Sequence, residues 1–175
     1  MELPMTGDPN IIEPWEMWVR STFLHEWVHT YFWIWPIAES LHFVGLSLLI
    51  GSVGLFDLRI LGLARAIPAM ALHRLIPFGL AGFALNILTG MVFFAGFPEQ
   101  YAYNRAFHFK VVFLALAGLN AALFYATVLK DVRDLPAGGD APLKAKLVTG
   151  FSLAAWVMVL VCGRLLTFFR PGFFH

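Results

Sequence analysis

Four stretches of the chain run for about twenty residues with almost no charge, and that pattern sets the fold class. A helix crosses the roughly 30 Å hydrocarbon core of a bilayer with ~20 mostly apolar residues. The candidates are Trp33–Phe56, Leu75–Gly96, Ala106–Leu129 and Leu147–Phe169. Short clusters of Arg, Lys and Asp separate them. Overall 59% of residues are hydrophobic and 13% are charged, against ~25% charged in a soluble domain. Mean hydropathy is +0.74. The expected fold is therefore all-α: an integral membrane four-helix bundle over residues 32–175. Residues 1–31 precede it as an N-terminal segment.

A net charge of +1 with no basic stripe leaves no surface for phosphates, so no nucleic-acid partner is expected. The lipid bilayer is the expected surrounding. Cys162, the one cysteine, excludes an intrachain disulfide and the C-x-x-C-H attachment of c-type haem. The first ten residues carry Glu2 and Asp8 but no Lys or Arg, so no cleavable signal peptide is expected.

Basic residues favour the cytoplasmic loops. Arg59, Arg65, Arg74, Lys130, Arg133, Lys144 and Lys146 gather at one end of the spans. At the other end are Arg20, Arg105 and Arg170, with Lys110 and Arg164 just inside the helices. This distribution predicts a multi-pass protein of the cell inner membrane, N-out and C-out. Trp15, Trp18, Trp27, Trp33, Trp35, Tyr101, Tyr103, Phe168 and Phe169 fall at the outer interface, where amphipathic rings anchor.

Before the first span, Pro14 to Tyr31 reads as an interfacial amphipathic helix. Pro14 suits a first turn, Glu16 and Arg20 are spaced to pair, and Trp15, Val19, Phe23 and Trp27 form an apolar face. Asp131–Asp140 reads as a solvated turn. Small residues are expected to mark the helix contacts: Ser40, Ser47, Gly51 and Gly54 in the first span, and Ala115, Gly118, Ala122 and Ala126 in the third. Asn86 and Asn120, both mid-membrane, are expected to pair across the second and third spans.

Ionisable groups inside a membrane are costly and usually line an interior or a pathway. Glu39 and His42 share one face of the first span, with His42 about 13 Å below the outer boundary. His108, Lys110 and Arg164 approach a similar depth from the third and fourth spans. This convergence is the candidate site. The plainer reading pairs Glu39 with Arg164 and gives His42 a backbone carbonyl.

The segments Pro36-Ile-Ala-Glu39-Ser-Leu-His42-Phe-Val-Gly45, Asp57-Leu-Arg59-Ile-Leu-Gly62 and Phe107-His108-Phe109-Lys110 resemble an uncharacterised family of bacterial four-helix membrane proteins. More distantly, they are similar to the superfamily of the HemJ-type protoporphyrinogen oxidases and the CopD copper-resistance proteins. In HemJ-type proteins a first-helix His binds haem b, an Arg ends that helix, and a Lys needed for activity opens a later one. His42, Arg59 and Lys110 match those positions, while Glu39 stands where those proteins commonly carry a Lys.

The resemblance implies haem b on His42. Met158, at matched depth in the fourth span, is the geometric candidate for a second axial ligand, ahead of His108, which lies about two helical turns nearer the surface. A Met there is as readily a gap-filling core residue. Lys110 or Arg164 is placed to pair the propionates. The expected function is membrane redox chemistry, as an electron-transfer protein or an oxidoreductase subunit. The alternatives are a non-catalytic accessory subunit of a larger membrane complex, docked through the outer aromatic surface, and a copper-handling membrane protein. His25-Glu26-Trp27-Val28-His29 also spells H-E-x-x-H, a zinc spacing, although its nearest further carboxylate is Glu39. His73 reads as an interfacial residue.

Overall fold

The computed structural model describes residues 13–169; Arg170 and the other terminal residues lie outside the described part. Nine helices follow one another among the described residues. They are α1 (Pro14–Arg20), α2 (Phe23–Thr30), α3 (Ile34–Leu61), α4 (Ala69–His73), α5 (Ile76–Gly96), α6 (Pro98–Ala102), α7 (Arg105–Thr127), α8 (Leu129–Arg133) and α9 (Leu143–Leu165). The fold is all-α, and α3, α5, α7 and α9 are long and apolar enough to span a membrane. Large side chains on their outer surface stand bare, such as Phe43 at 67% and Leu119 at 69% exposure. Such a surface suits hydrocarbon and not water.

Local chemistry sets the helix ends. Gly62 closes α3 in the left-handed conformation (φ 108°). There its N–H donates to the Arg59 carbonyl at 3.2 Å while Leu63 N–H donates to Leu58 at 2.9 Å. This is the paired C-terminal motif that glycine permits. Asn104 opens α7, accepting from Ala106 N–H at 2.9 Å and donating to the Leu166 carbonyl at 3.0 Å. One buried side chain thereby ties the start of α7 to the end of α9.

The first span continues to Leu61, beyond the expected Phe56, so Asp57 and Arg59 are helical. At 1.5 Å per residue its 28 residues reach about 42 Å. The fourth begins at Leu143, not Leu147, and takes in Lys144 and Lys146. Lys144 donates to the Thr127 carbonyl at the end of α7 at 3.2 Å, and Lys146 donates to Asp140 at 2.8 Å. That hydrogen bond, with Arg65 nearby, holds the Asp140 carboxyl below the usual range.

The closest packing joins α3 to α5 and α7 to α9, and α3 also lies along α9. Helices α5 and α7 therefore flank a central α3–α9 pair and leave a seam between them. This corrects the expected Asn86–Asn120 pair. Asn120 donates instead to the Val148 carbonyl of α9 at 3.1 Å, and Asn86 lies against Gly45 of α3. The expected small-residue stripes are corrected as well. Ser40, Ser47 and Gly51 are exposed, as are Ala115, Gly118, Ala122 and Ala126; Gly54 is buried, but a Cβ there would meet only Ile50 of its own helix, at 3.9 Å. The α3–α5 contact is made by Gly45 with Gly82 and by Ser52 with Gly79.

The N-terminal helix is broken in two. Ser21 and Thr22 hydroxyls donate back to the Trp18 and Val19 carbonyls at 2.7 and 2.6 Å, and Thr22 is extended. Backbone-seeking hydroxyls of this kind compete with helix continuation. Val19 and Val28 turn inward while Phe23 stays exposed, so the expected apolar face is divided. Arg20 pairs with Glu99 at 3.3 Å, not with Glu16. Glu16 is buried.

Asp131–Asp140 is more than a solvated turn. Arg59, fully buried, donates to the carbonyls of Ile67 and Pro136 and pins both inner loops to the end of α3. Gly138 N–H adds a bond to the Arg65 carbonyl at 2.7 Å.

Candidate functional site

The end of the bundle where α3 starts and α9 finishes is termed the outer end. There the seam between α5 and α7 widens into a cavity of about 460 Å³, roofed by Trp18, Val19, Thr22 and Leu24 of the N-terminal helices. A second lobe of about 410 Å³ opens between α3 and α9. His42, Leu46, Gly90, Phe107, Lys110 and Val159 belong to both lobes. Helix packing explains the void: α5 and α7 are held apart, and Gly90 places no side chain in the gap, where an added Cβ would touch nothing within 4 Å.

His42 is held in one orientation. Its Nδ1 lies 2.7 Å from Thr89 Oγ1, and that hydroxyl spends its own proton on the Leu85 carbonyl at 2.8 Å. Thr89 therefore accepts, His42 carries its proton on Nδ1, and Nε2 keeps its lone pair. Helix geometry assists: residues 85 and 89 are one turn apart on α5, so the Thr89 hydroxyl reaches its own helix and still faces α3. Phe93 packs beside the imidazole, with ring centroids 5.3 Å apart. The plainer reading, a carbonyl partner for His42, is not what forms.

Glu39, Lys110 and Arg164 line the second lobe with His42. Among the described residues none of the three forms an ion pair within 4 Å. The expected Glu39–Arg164 pair is absent, and Arg164 lies over the Phe168 ring at 5.4 Å. Lys110 Nζ lies beside Gly163, 3.8 Å from where a Cβ would project. Two cations and one carboxylate thus line one lobe, Lys110 half-buried and Glu39 and Arg164 exposed.

Met158 and His108 do not join them. Met158, 37% exposed, lies on α9 beside Val159 but outside the lining. One residue of offset turns a helical side chain by about 100°. His108 Nε2 lies 2.7 Å from the Ala102 carbonyl, at the surface. Arg59, 17 residues beyond His42 on α3, is about 25 Å away along the helix and is engaged with the inner loops.

The H-E-x-x-H histidines cap a helix. His25 Nδ1 donates to Ala95 at 2.8 Å and His29 Nε2 to Gly96 at 2.9 Å, the final carbonyls of α5, which lack helical partners. Among the described residues no cluster of three or more His, Cys, Asp or Glu has metal-binding proximity.

Thr89, Gly90 and the roofing residues were not evident from sequence. Threonine one turn above Leu85 is ordinary in an apolar span, and only the approach of α3 gives it a role. No family model, curated protein or solved structure matches the chain.

Proposed function

We propose that the outer cavity holds haem b with His42 Nε2 as its axial ligand, and that the chain serves membrane redox chemistry, alone or as a subunit of a larger complex. The observation that carries this reading is the fixed imidazole. A metal-binding histidine characteristically donates its other N–H to an acceptor that sets tautomer and ring direction. His42 does so through Thr89 and lines an apolar space.

The donor set fits the group. Haem b requires a neutral imidazole, a hydrophobic slot and cations for its two propionates; when bound it supplies one-electron chemistry at a potential set by its axial ligands. Lys110 and Arg164 meet the propionate requirement at the outer rim. Phe107, Phe93 and Val159 exclude water from the ligand side. Glu39 stands beside the cations and can hold or pass a proton there. Besides His42, the lining carries the Met91 thioether and the Tyr101 hydroxyl as groups able to ligate iron.

The combination of His42 and Lys110 in one cavity agrees with the resemblance to HemJ-type proteins. The proposed location is a bacterial inner membrane with both termini outside.

The reading is tested by the absorption spectrum of the detergent-purified chain. A Soret band in the native protein that is lost in His42→Ala, with Met158→Leu and His108→Ala unchanged, is the expected result. Colourless protein carrying copper would transfer the site to copper handling, and colourless metal-free protein would remove the cofactor assignment.

An accessory-subunit role has one observation in its favour. The exposed run Ala115, Gly118, Ala122 and Ala126 on α7 would let a helix of another chain approach closely.

A further inference from the structure

Below the outer cavity lies a separate one of about 290 Å³ in the inner half, between α3, α5, α7 and α9. The two share only the walls Leu49, Phe83, Leu114 and Trp156. Asp57 lines the inner cavity from α3. It is 3% exposed. Ser152 lines the same cavity, and Asp57 Oδ2 is buried without a partner. Among the described residues no Lys, Arg or His lies within 4 Å of it. Arg59, two positions on, is turned to the loop carbonyls.

Six of the remaining lining residues carry rings, set among aliphatic, small and polar neighbours. Phe56, Phe83, Phe124, Tyr125, Trp156 and the His73 ring surround the space. Phe56 and Phe124 meet edge to face at 5.5 Å, and Phe124 meets Tyr125 at 5.7 Å. At the mouth His73 Nε2 lies 3.2 Å from the Tyr125 hydroxyl.

We propose that this inner cavity binds a small lipophilic organic cation, an amine or quaternary ammonium, whose charge meets Asp57 and whose alkyl groups meet the aromatic rings. A buried carboxylate without a counter-charge is costly, and an intramembrane ionisable group marks a functional site by default. Ring faces carry negative potential and hold ammonium groups, most strongly when water is excluded. Carboxylate and rings thus favour the same ligand class. An anion finds no cationic partner here. A bare metal ion finds one carboxylate where it needs several oxygen ligands. The volume suits a ligand at the small end of the usual range of about 300–1,000 Å³. The proposal is independent of haem in the outer cavity.

The test uses benzyltrimethylammonium, whose charge does not vary with pH, and its uncharged isostere neopentylbenzene. Binding to the full chain in detergent micelles is measured by equilibrium dialysis against empty micelles. Saturable binding of one cation per chain is expected, with the isostere weaker by about tenfold or more. Asp57→Asn, which keeps the shape, should weaken cation binding by about tenfold or more at an unchanged melting temperature. Tyr125→Leu, at the exposed mouth, provides a second variant that leaves the core intact and should weaken binding several-fold. No saturable cation binding, equal binding of the isostere, or full affinity in either variant would overturn the proposal.

Discussion

Replacing Gly82 with alanine should loosen the α3–α5 seam and disturb the outer site with it. An added Cβ on Gly82 would lie 2.5 Å from the Gly45 carbonyl oxygen, 2.9 Å from Leu48 Cβ and 3.0 Å from Leu49 N. Two of these atoms are backbone and cannot rotate away. Ordinary contact begins at 3.4 Å, so the helices must part by about 0.9 Å, the difference between 3.4 and 2.5. A radial gap of ~0.5–1 Å forfeits a quarter to a half of each dispersion contact it opens, and overpacking costs ~1–3 kcal/mol. Alanine returns ~0.5–1 kcal/mol through helix propensity. The net loss is about 1–2 kcal/mol, or roughly 2–8 °C in melting temperature for a chain of this size. Gly51→Ala supplies the contrast, because no atom lies within 4 Å of its added Cβ; it should melt at or above the native temperature. Cys162 is the sole cysteine and is buried, so a thiol-reactive dye reports unfolding directly during a thermal ramp. Native melting in Gly82→Ala, or an equal fall in Gly51→Ala, would refute the packing argument.

Thr89→Val keeps shape but removes the acceptor for His42 Nδ1–H; haem retention during dilution should fall by ~10–100-fold, and unchanged retention would show that Thr89 does not orient the ligand. Arg59→Ala removes two charge-assisted bonds to the Ile67 and Pro136 carbonyls; a loss on the order of 3 kcal/mol and faster trypsin cleavage at Arg133 are expected in a combined melting and proteolysis assay. Native values of both would show the inner loops are held by other contacts. Reporter fusions at Gly139 and after His175 should report cytoplasm and periplasm respectively, and the reverse pattern would invert the orientation drawn from basic residues.

The membrane class and the second span were legible because apolar length is a direct physical requirement of the bilayer. The inner ends of the first and fourth spans were not. Asp57 and Arg59 look like the close of a span, yet the helix continues because the loops fold back and bury Arg59. Helix facing was the weakest inference, for a specific reason. In lipid both the packed and the outward face are apolar, so polarity does not phase the helix. Ser40, Ser47 and Gly51 obey the same small-residue spacing as Gly45 and Ser52, and only the latter pack. The gathering of Glu39, His42, Lys110 and Arg164 followed from depth alone, since intramembrane charges have few alternatives to one shared interior. Depth matched Met158 equally well but says nothing of rotation about α9, and it turned outward. Thr89 carries no charge and gave no signal until its partner helix was in position.

The most direct measurement is haem content per chain in native protein and in His42→Ala, by pyridine haemochrome assay on samples matched for helicity and elution volume. One haem b per native chain and almost none in the variant is the expected result. A native chain without haem, or a variant that retains its full complement, contradicts the assignment of His42 as axial ligand.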